Sequence, residues 1–379
     1  MASESFVAFS NLTGSRIAHD SNIEAACEVI DQMPFADLLS MLTVVSQTRS
    51  NRTTAREVID GNRFHAPSNV SAKDFHWLEG LILDSVNDDT DMVELSPLQP
   101  FGINRTLAGT NQKNIVSALR RSEVDADATT ALFRIALQRY LKADGSDNTN
   151  VRVGSNVRTV RAQIFDTKTN FLPHFKVFGV VSVGKQTGEF GSQELTTLVE
   201  HLGTEVDIID KLGASERSNM ANIHISIGNL ALLSDLAVRG DVDLVEARRN
   251  TINPEYSLIA ANDLDMPEYV PLDDPNLQGT LAGLGFRHGL RVSEKIRQKI
   301  ETNRPDLLPR VSLHLGRVAG IGYYKHICYK LEATNMDGVT IPVADGGSTD
   351  WATKVTGNKQ LYTVSSGVGT ELVCQYLIN

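Results

Sequence analysis

An α+β fold, a mostly antiparallel sheet with helices packed on it, is predicted by three features of the 379-residue sequence. Strand-like segments occur in the first half of the chain. Helical periodicity fills much of the middle. From residue 311 onward the pattern becomes strand, turn, strand, turn. Strands grouped at both ends, with helices between, point to this class rather than to a doubly wound parallel sheet.

Composition sets outer bounds. The net charge is -10, and 41% of residues are hydrophobic. That supports a sizeable core and leaves room for two or three domains. An acidic chain is a poor match for nonspecific nucleic-acid or anionic-membrane binding. No apolar run approaches the ~18 residues of a membrane span. The start, "MASESFVAFSNLTG", has neither the basic nor the apolar part of a signal peptide, so a cytoplasmic location is expected. Cys27, Cys328 and Cys374 form no C-x-x-C pair, which argues against a disulfide framework or a thiolate metal site. No metal site is expected.

The elements follow in order. Residues 1–75 read as mostly helical, with Asn/Ser-rich breaks. "DMVELSPLQP" (91–100) reads as a short strand stopped by Pro97 and Pro100. "TTALFRIALQRYL" (129–141) is an amphipathic helix preceded by Asp125 and Asp127, placed to cap it. Residues 157–165 and 174–184 read as two strands joined by the polar loop "DTKTNFLP". A helix is expected at 192–202, and a mixed, mostly helical block at 210–300, with a loop-rich stretch at 265–279. Strands are expected in "VSLHLG", "HICYKLEA", "GVTIPVADGG" and "LYTVSSG".

A series of segments, in order, resembles the catalytic domain of histidyl-tRNA synthetase and its paralogues, within the class II aminoacyl-tRNA synthetases. "VELSPLQPFG" is similar to motif 1, which implies a dimer interface at Pro97. "DADATTALFR" is similar to the Arg-Pro-Glu-x-Thr segment, with Asp127 and Thr129 matching its acid and threonine. "VRAQIFDTKTNFLPHFKVFGVVSVG" resembles motif 2, with Arg161 as its arginine. "AGIGYYKHICYKLE", "ADGGSTDWA" and "SGVGTEL" resemble the Arg-Gly-Leu-Asp-Tyr-Tyr element, the Gly-Gly-Arg-Tyr-Asp turn and motif 3. The resemblance implies a ligand pocket built from Asp127, Thr129, Arg161, Val177, Val181, Tyr323, Tyr324, Gly346 and Gly347. It also implies a core at 76–205 and 311–379, a mostly helical insertion at 206–310, and no C-terminal anticodon-binding domain.

The same comparison exposes departures. Activating an amino acid needs cations around ATP's phosphates. Of three arginines the family uses, only Arg161 is present; Ala319 and Leu372 stand at the other two positions, and Arg317 lies two residues from the first. The family's Gln and Glu on the second motif 2 strand are Val177 and Val181 here. Gly322 and Ser348 replace a further aspartate and arginine. Losing one such group typically lowers a rate ~10²–10³-fold.

The expected function is therefore that of a paralogue that makes no histidyl-tRNA: a homodimeric subunit that binds a small amino-acid-like or nucleotide ligand or regulates a partner protein, with tRNA not among its partners. One alternative is an ATP-dependent ligase for a different acid, with Arg161 catalytic and with ATP and magnesium as cofactors. Lys176, Lys185, Arg158 or Arg317 would then replace the lost cations. A purely structural partner is the other. His174, His314 and His326 lie in the resembling segments, and "GLGFRHG" (283–289) reads as a turn.

Overall fold

The computed structural model describes residues 21–118, 120–143, 150–163, 171–187, 191–250 and 256–379. Its strands are β1 (Thr90–Met92), β2 (Leu98–Pro100), β3 (Ser117–Ala118), β4 (Ser122–Val124), β5 (Val151–Val160) and β6 (His174–Lys185). They continue with β7 (Met220–Asn229), β8 (Tyr269–Pro271), β9 (Val311–His314), β10 (Ile327–Asn335), β11 (Thr340–Thr349) and β12 (Leu361–Val368). Nine of them form one sheet in the order β1-β5-β6-β12-β11-β10-β7-β9-β8, and β2, β4 and β3 form a small second sheet. The β1–β5 and β7–β9 pairs are parallel. The remaining pairs are antiparallel.

Two layers of helix cover the large sheet. On one face the helix Ser192–Gly213 packs with Ala72–Leu83 and Thr370–Leu377, and Leu198, Leu202, Ile209, Phe178 and Ile227 share this core. On the other face the helix Ala128–Lys142 lies on β5 and β6. Leu132, Phe133 and Ala136 meet Val153, Val181, Val183 and Trp351 there. Each fully buried large apolar side chain contributes about 1.5–3 kcal/mol. Asp127 caps this helix by accepting from Thr129 N at 3.1 Å. Past β12 the same sheet face carries Asp345, Lys330, Glu332 and His224, all reached by solvent.

Several boundaries differ from the sequence reading. The single strand expected at 91–100 is two strands in two sheets. Ser96 Oγ accepts from Leu98 N, and Asp125 N bonds Pro97 O, so the Ser-Pro step turns the chain out of the first ladder and into the second. β5 begins at Val151, ahead of the expected 157, and the helix expected at 192–202 runs on to Gly213. The ten-residue β7 was hidden in the block expected to be mostly helical, and β7 and β8 both belong to the large sheet. Most of the loop read between the two motif 2 strands, through Asn170, lies outside the described residues, as do residues 1–20. Within the segment read as mostly helical, the described helices are Ser21–Gln32, Phe35–Ser50 and Ala55–Asp60, with a further one beginning at Ala72, and Phe35–Ser50 has no fully buried side chain.

Candidate functional site

The paired tyrosines follow a tight glycine turn. Gly320 and Gly322 have φ of +89° and +91°, values that strain any residue with a Cβ. Tyr323 N and Tyr324 N both bond Gly320 O, at 3.0 and 2.9 Å. A Cβ at Gly320 would lie 2.6 Å from the Tyr324 ring. The turn therefore fixes both tyrosines against the sheet.

Tyr323 joins the start of the Ala128–Lys142 helix. Thr129 Oγ1 donates to Asp127 Oδ1 at 2.6 Å and lies 2.7 Å from the Tyr323 hydroxyl. The Tyr323 hydroxyl is also 3.3 Å from Asp127 Oδ2, so its proton is shared between threonine and carboxylate. Edge-on aromatic contacts brace it: Tyr323 with Tyr324 at 4.9 Å, Tyr323 with Trp351 at 5.4 Å, and Trp351 with Phe133 at 5.4 Å. Burial and the Asp127 charge hold the Tyr323 pKa well above the usual tyrosine range, so the hydroxyl stays protonated.

Tyr324 lies over Gly347, where a Cβ would come within 2.5 Å of its ring. It marks the edge of a glycine floor on the sheet. Gly179 pairs with Gly367, Gly367 with Asp345, and Asp345 with Lys330. In the next row Gly347 pairs with Cys328, and Cys328 with Gly228. Alternation places both rows on one face. Asp345 is the acid on this floor. Solvent reaches it, yet protein surrounds it closely enough that burial raises its pKa against the pull of Arg317. Tyr324 also draws its pKa down, less than Arg317 does. Arg317 is 4% exposed, runs its stem over Gly228 and donates from Nε to Ala319 O at 3.2 Å. Its Nη1 is buried without a hydrogen-bond partner.

A cleft of about 240 Å³ opens beside this site, lined by Arg161, Phe175, Val177, Glu371 and Leu372 among others. Arg161 donates from Nε to Ala126 O at 2.9 Å and places its guanidinium 5.3 Å over the Phe175 ring. Glu371 is held by three donors: Arg158 Nη1 at 3.0 Å, Lys176 N at 2.8 Å and Ser68 Oγ at 2.5 Å. His174 donates from Nε2 to Ala66 O at 2.7 Å and accepts from Arg158 at Nδ1. Arg63 donates to Gln163 O and Ala162 O at 2.8 and 2.9 Å. Residues 63–68 thus strap one side of the cleft.

The expected residues fall into three groups. Asp127, Thr129, Tyr323, Tyr324 and Gly347 come together. Arg161 and Val177 line the adjacent cleft. Val181 and Gly346 serve packing: Val181 is fully buried under the Ala128–Lys142 helix, and a Cβ at Gly346 would lie 2.5 Å from Tyr329 on the opposite face. His174, His314 and His326 have separate surroundings; His314 pairs with Glu268 at 3.1 Å. Asp345 was missed, although an acid between apolar and glycine positions in "VADGGS" was a readable signal. Among the described residues, no group of three or more His, Cys, Asp or Glu side chains is placed to hold a metal ion.

Solved structures with this architecture include an ATP phosphoribosyltransferase regulatory subunit/histidyl-tRNA synthetase from Bacillus halodurans. It has a TM-score of 0.59 and 14% identity, over 84% of this chain and 83% of that one. Histidyl-tRNA synthetase from Nostoc sp. PCC 7120 gives 0.58 and 14%, over 83% and 74%. A histidine–tRNA ligase subunit from Alicyclobacillus acidocaldarius gives 0.51 and 14%, over 83% and 95%. The fold is histidyl-tRNA synthetase-like. No family model and no curated protein matches the sequence. In this class II-like frame, Leu372 and Glu371 stand at the cleft where the resemblance places a motif 3 arginine.

Proposed function

We propose that the chain is a histidyl-tRNA synthetase-like paralogue that binds a small molecule, serves as a ligand-binding or regulatory subunit, and does not activate histidine. The observation that carries this reading is the charge of the cleft. A nucleotide triphosphate needs several converging cations. Arg158 is ion-paired to Glu371 and hydrogen-bonded to His174, and Lys176 pairs with Glu79 at 3.4 Å. Glu371 itself places a carboxylate in the wall. Arg161 remains, facing Phe175 and a leucine at position 372. These residues do not fit ATP and its magnesium.

The side-chain cluster beside the cleft supports the ligand-binding half of the proposal. Asp127, Thr129 and the tyrosine pair are pre-organised by hydrogen bonds and ring contacts. The Bacillus halodurans protein is described both as a regulatory subunit and as a synthetase; the regulatory description accords better with this cleft. Amino-acid-dependent ATP–pyrophosphate exchange tests the reading, with histidine and each other standard amino acid. Background exchange throughout is expected. Exchange with histidine would overturn the proposal, and exchange with a different amino acid would establish the ligase alternative.

A further inference from the structure

We propose that Asp125 is a proton-sensitive latch at the base of the Ala128–Lys142 helix: while it is neutral, the helix start stays closed on Tyr323, and its ionisation loosens that contact. The inference goes beyond the ligand-binding reading and holds whatever the site binds. It comes from three acids at alternate positions, Glu123, Asp125 and Asp127, whose surroundings differ. Glu123 is fully buried and met by four donors: Gly102 N at 2.8 Å, Asn104 N at 3.1 Å, Asn104 Nδ2 at 2.8 Å and Gln112 Nε2 at 3.4 Å. Asp127 is met by Thr129 N, Thr129 Oγ1 and the Tyr323 hydroxyl. Asp125 is as deeply buried as Glu123, yet its Oδ1 takes one long bond from Asp127 N, at 3.3 Å, and its Oδ2 has no hydrogen-bond partner among the described residues.

The main chain holds this acid in place. Asp125 N donates to Pro97 O at 3.0 Å, and Asp125 O accepts from Val160 N at 2.8 Å, so the residue is pinned between the small sheet and the end of β5. A buried carboxylate with one weak donor is costly as an anion and much less so as a neutral acid. The charged groups that face it are Asp127 and Glu123, which oppose its ionisation, and Arg161, which favours it. Arg161 spends its Nε on Ala126 O, at 2.9 Å, in the same segment. Burial first, and then the Asp127 charge, push the Asp125 pKa up to about 7. The folded chain therefore gives up this proton in the neutral range.

Ionisation acts on the next acid along the chain. Asp127 supplies the one donor to Asp125, and the Asp127 carboxylate caps the helix while accepting from Thr129 Oγ1 and Tyr323. A negative charge at Asp125 repels that carboxylate. It also competes for the Arg161 guanidinium, which otherwise lies 5.3 Å over the Phe175 ring. Both effects weaken the bonds that join Asp127, Thr129 and Tyr323. Below neutral pH the acid is uncharged and the cluster closed; above it the acid is charged and the cluster loosened. Trp351 is placed to report the change, because it is fully buried with its ring 5.4 Å from that of Tyr323.

Tryptophan fluorescence of the full chain, followed against pH, provides the test. The sequence has two tryptophans, and Trp77→Phe leaves Trp351 as the sole reporter. Its emission should shift in one transition centred at about pH 7, while circular dichroism shows the fold unchanged. Asp125→Asn in the same background has nearly the same shape and carries no charge, so it should hold the low-pH emission throughout. Glu205→Gln should keep the transition, because Glu205 bonds Tyr329 on the opposite face of the sheet. A transition that survives Asp125→Asn, one that vanishes in Glu205→Gln, or no transition in the Trp77→Phe parent overturns the proposal. If Asp125→Asn does not fold, Tyr323→Phe takes its place. It removes the hydroxyl through which the latch acts and should abolish the shift; a shift that persists there overturns the proposal equally.

Discussion

The Tyr323 hydroxyl meets both oxygens that define the start of the Ala128–Lys142 helix, Thr129 Oγ1 at 2.7 Å and Asp127 Oδ2 at 3.3 Å. A residue 194 positions along the chain thereby ties the last segment of the sheet to a helix cap. Tyr323→Phe removes the hydroxyl and leaves the ring. The loss should be about 0.5–1.5 kcal/mol. Thr129→Val should cost a similar amount, and the double variant less than the sum, because both act on one ring of hydrogen bonds. Urea unfolding of the three variants measures this; strict additivity would dissolve the triad.

The floor glycines are needed for space. A Cβ at Gly347 would lie 2.5 Å from Tyr324 Cδ1 and 2.8 Å from the Cys328 side chain. Gly347→Ala should therefore destabilise the protein by roughly 1–3 kcal/mol and displace Tyr324 from the site. Gly357→Ala differs in kind: nothing lies near its Cβ, but φ is +72°, so its smaller cost comes from backbone strain. Thermal melting with tyrosine fluorescence separates them, since only Gly347→Ala should alter the site.

Beneath the floor, stability should depend on pH through Glu205. It is 1% exposed and accepts from the Tyr329 hydroxyl at 2.7 Å, and burial pushes its pKa up to about 8. The unfolded chain releases this proton near the ordinary glutamate value, so the folded state holds one more proton between the two. Stability contributed by this group is full below the unfolded pKa and is lost as pH rises to about 8. The slope should approach about 1.4 kcal/mol per pH unit in the middle of that window. Glu205→Gln should flatten it. An unchanged slope in the variant would remove Glu205 as the cause.

The second sheet bears on assembly. Leu98 and Phe101 are 45% and 58% exposed on or beside β2, next to Pro97, the residue the resemblance places at a dimer interface. A homodimer of the 41.4 kDa chain is expected by light scattering. Phe101→Asp should shift it toward monomer without lowering the melting temperature of the monomer fold. A wild-type monomer at micromolar concentration would remove the interface assignment.

Much of the site was legible because its residues recur in a fixed chain order. "DADATT" and "GIGYYK" were readable far apart, and the fold closes them into contact. Burial was less legible. Period-two alternation put Val177 and Val181 on one face, but cannot tell that a helix covers Val181 while Val177 borders a cleft. β7 shows a second limit: "NIHISIG" alternates Ile223, Ile225 and Ile227 with polar residues, yet helices on both sides masked so short a pattern. Asp345 shows a third. Its surroundings combine neighbours from adjacent strands with Tyr324 of the turn and the charge of Arg317, which sequence spacing alone does not bring together.

ATP binding by calorimetry, with magnesium present and wild-type protein, tests the central claim most directly. With Glu371 in the wall, Leu372 beside it and Arg158 already paired, no saturable binding of ATP is expected in the micromolar range. Micromolar ATP binding that disappears in Arg161→Ala would contradict the account, because the cleft would then be a working nucleotide site.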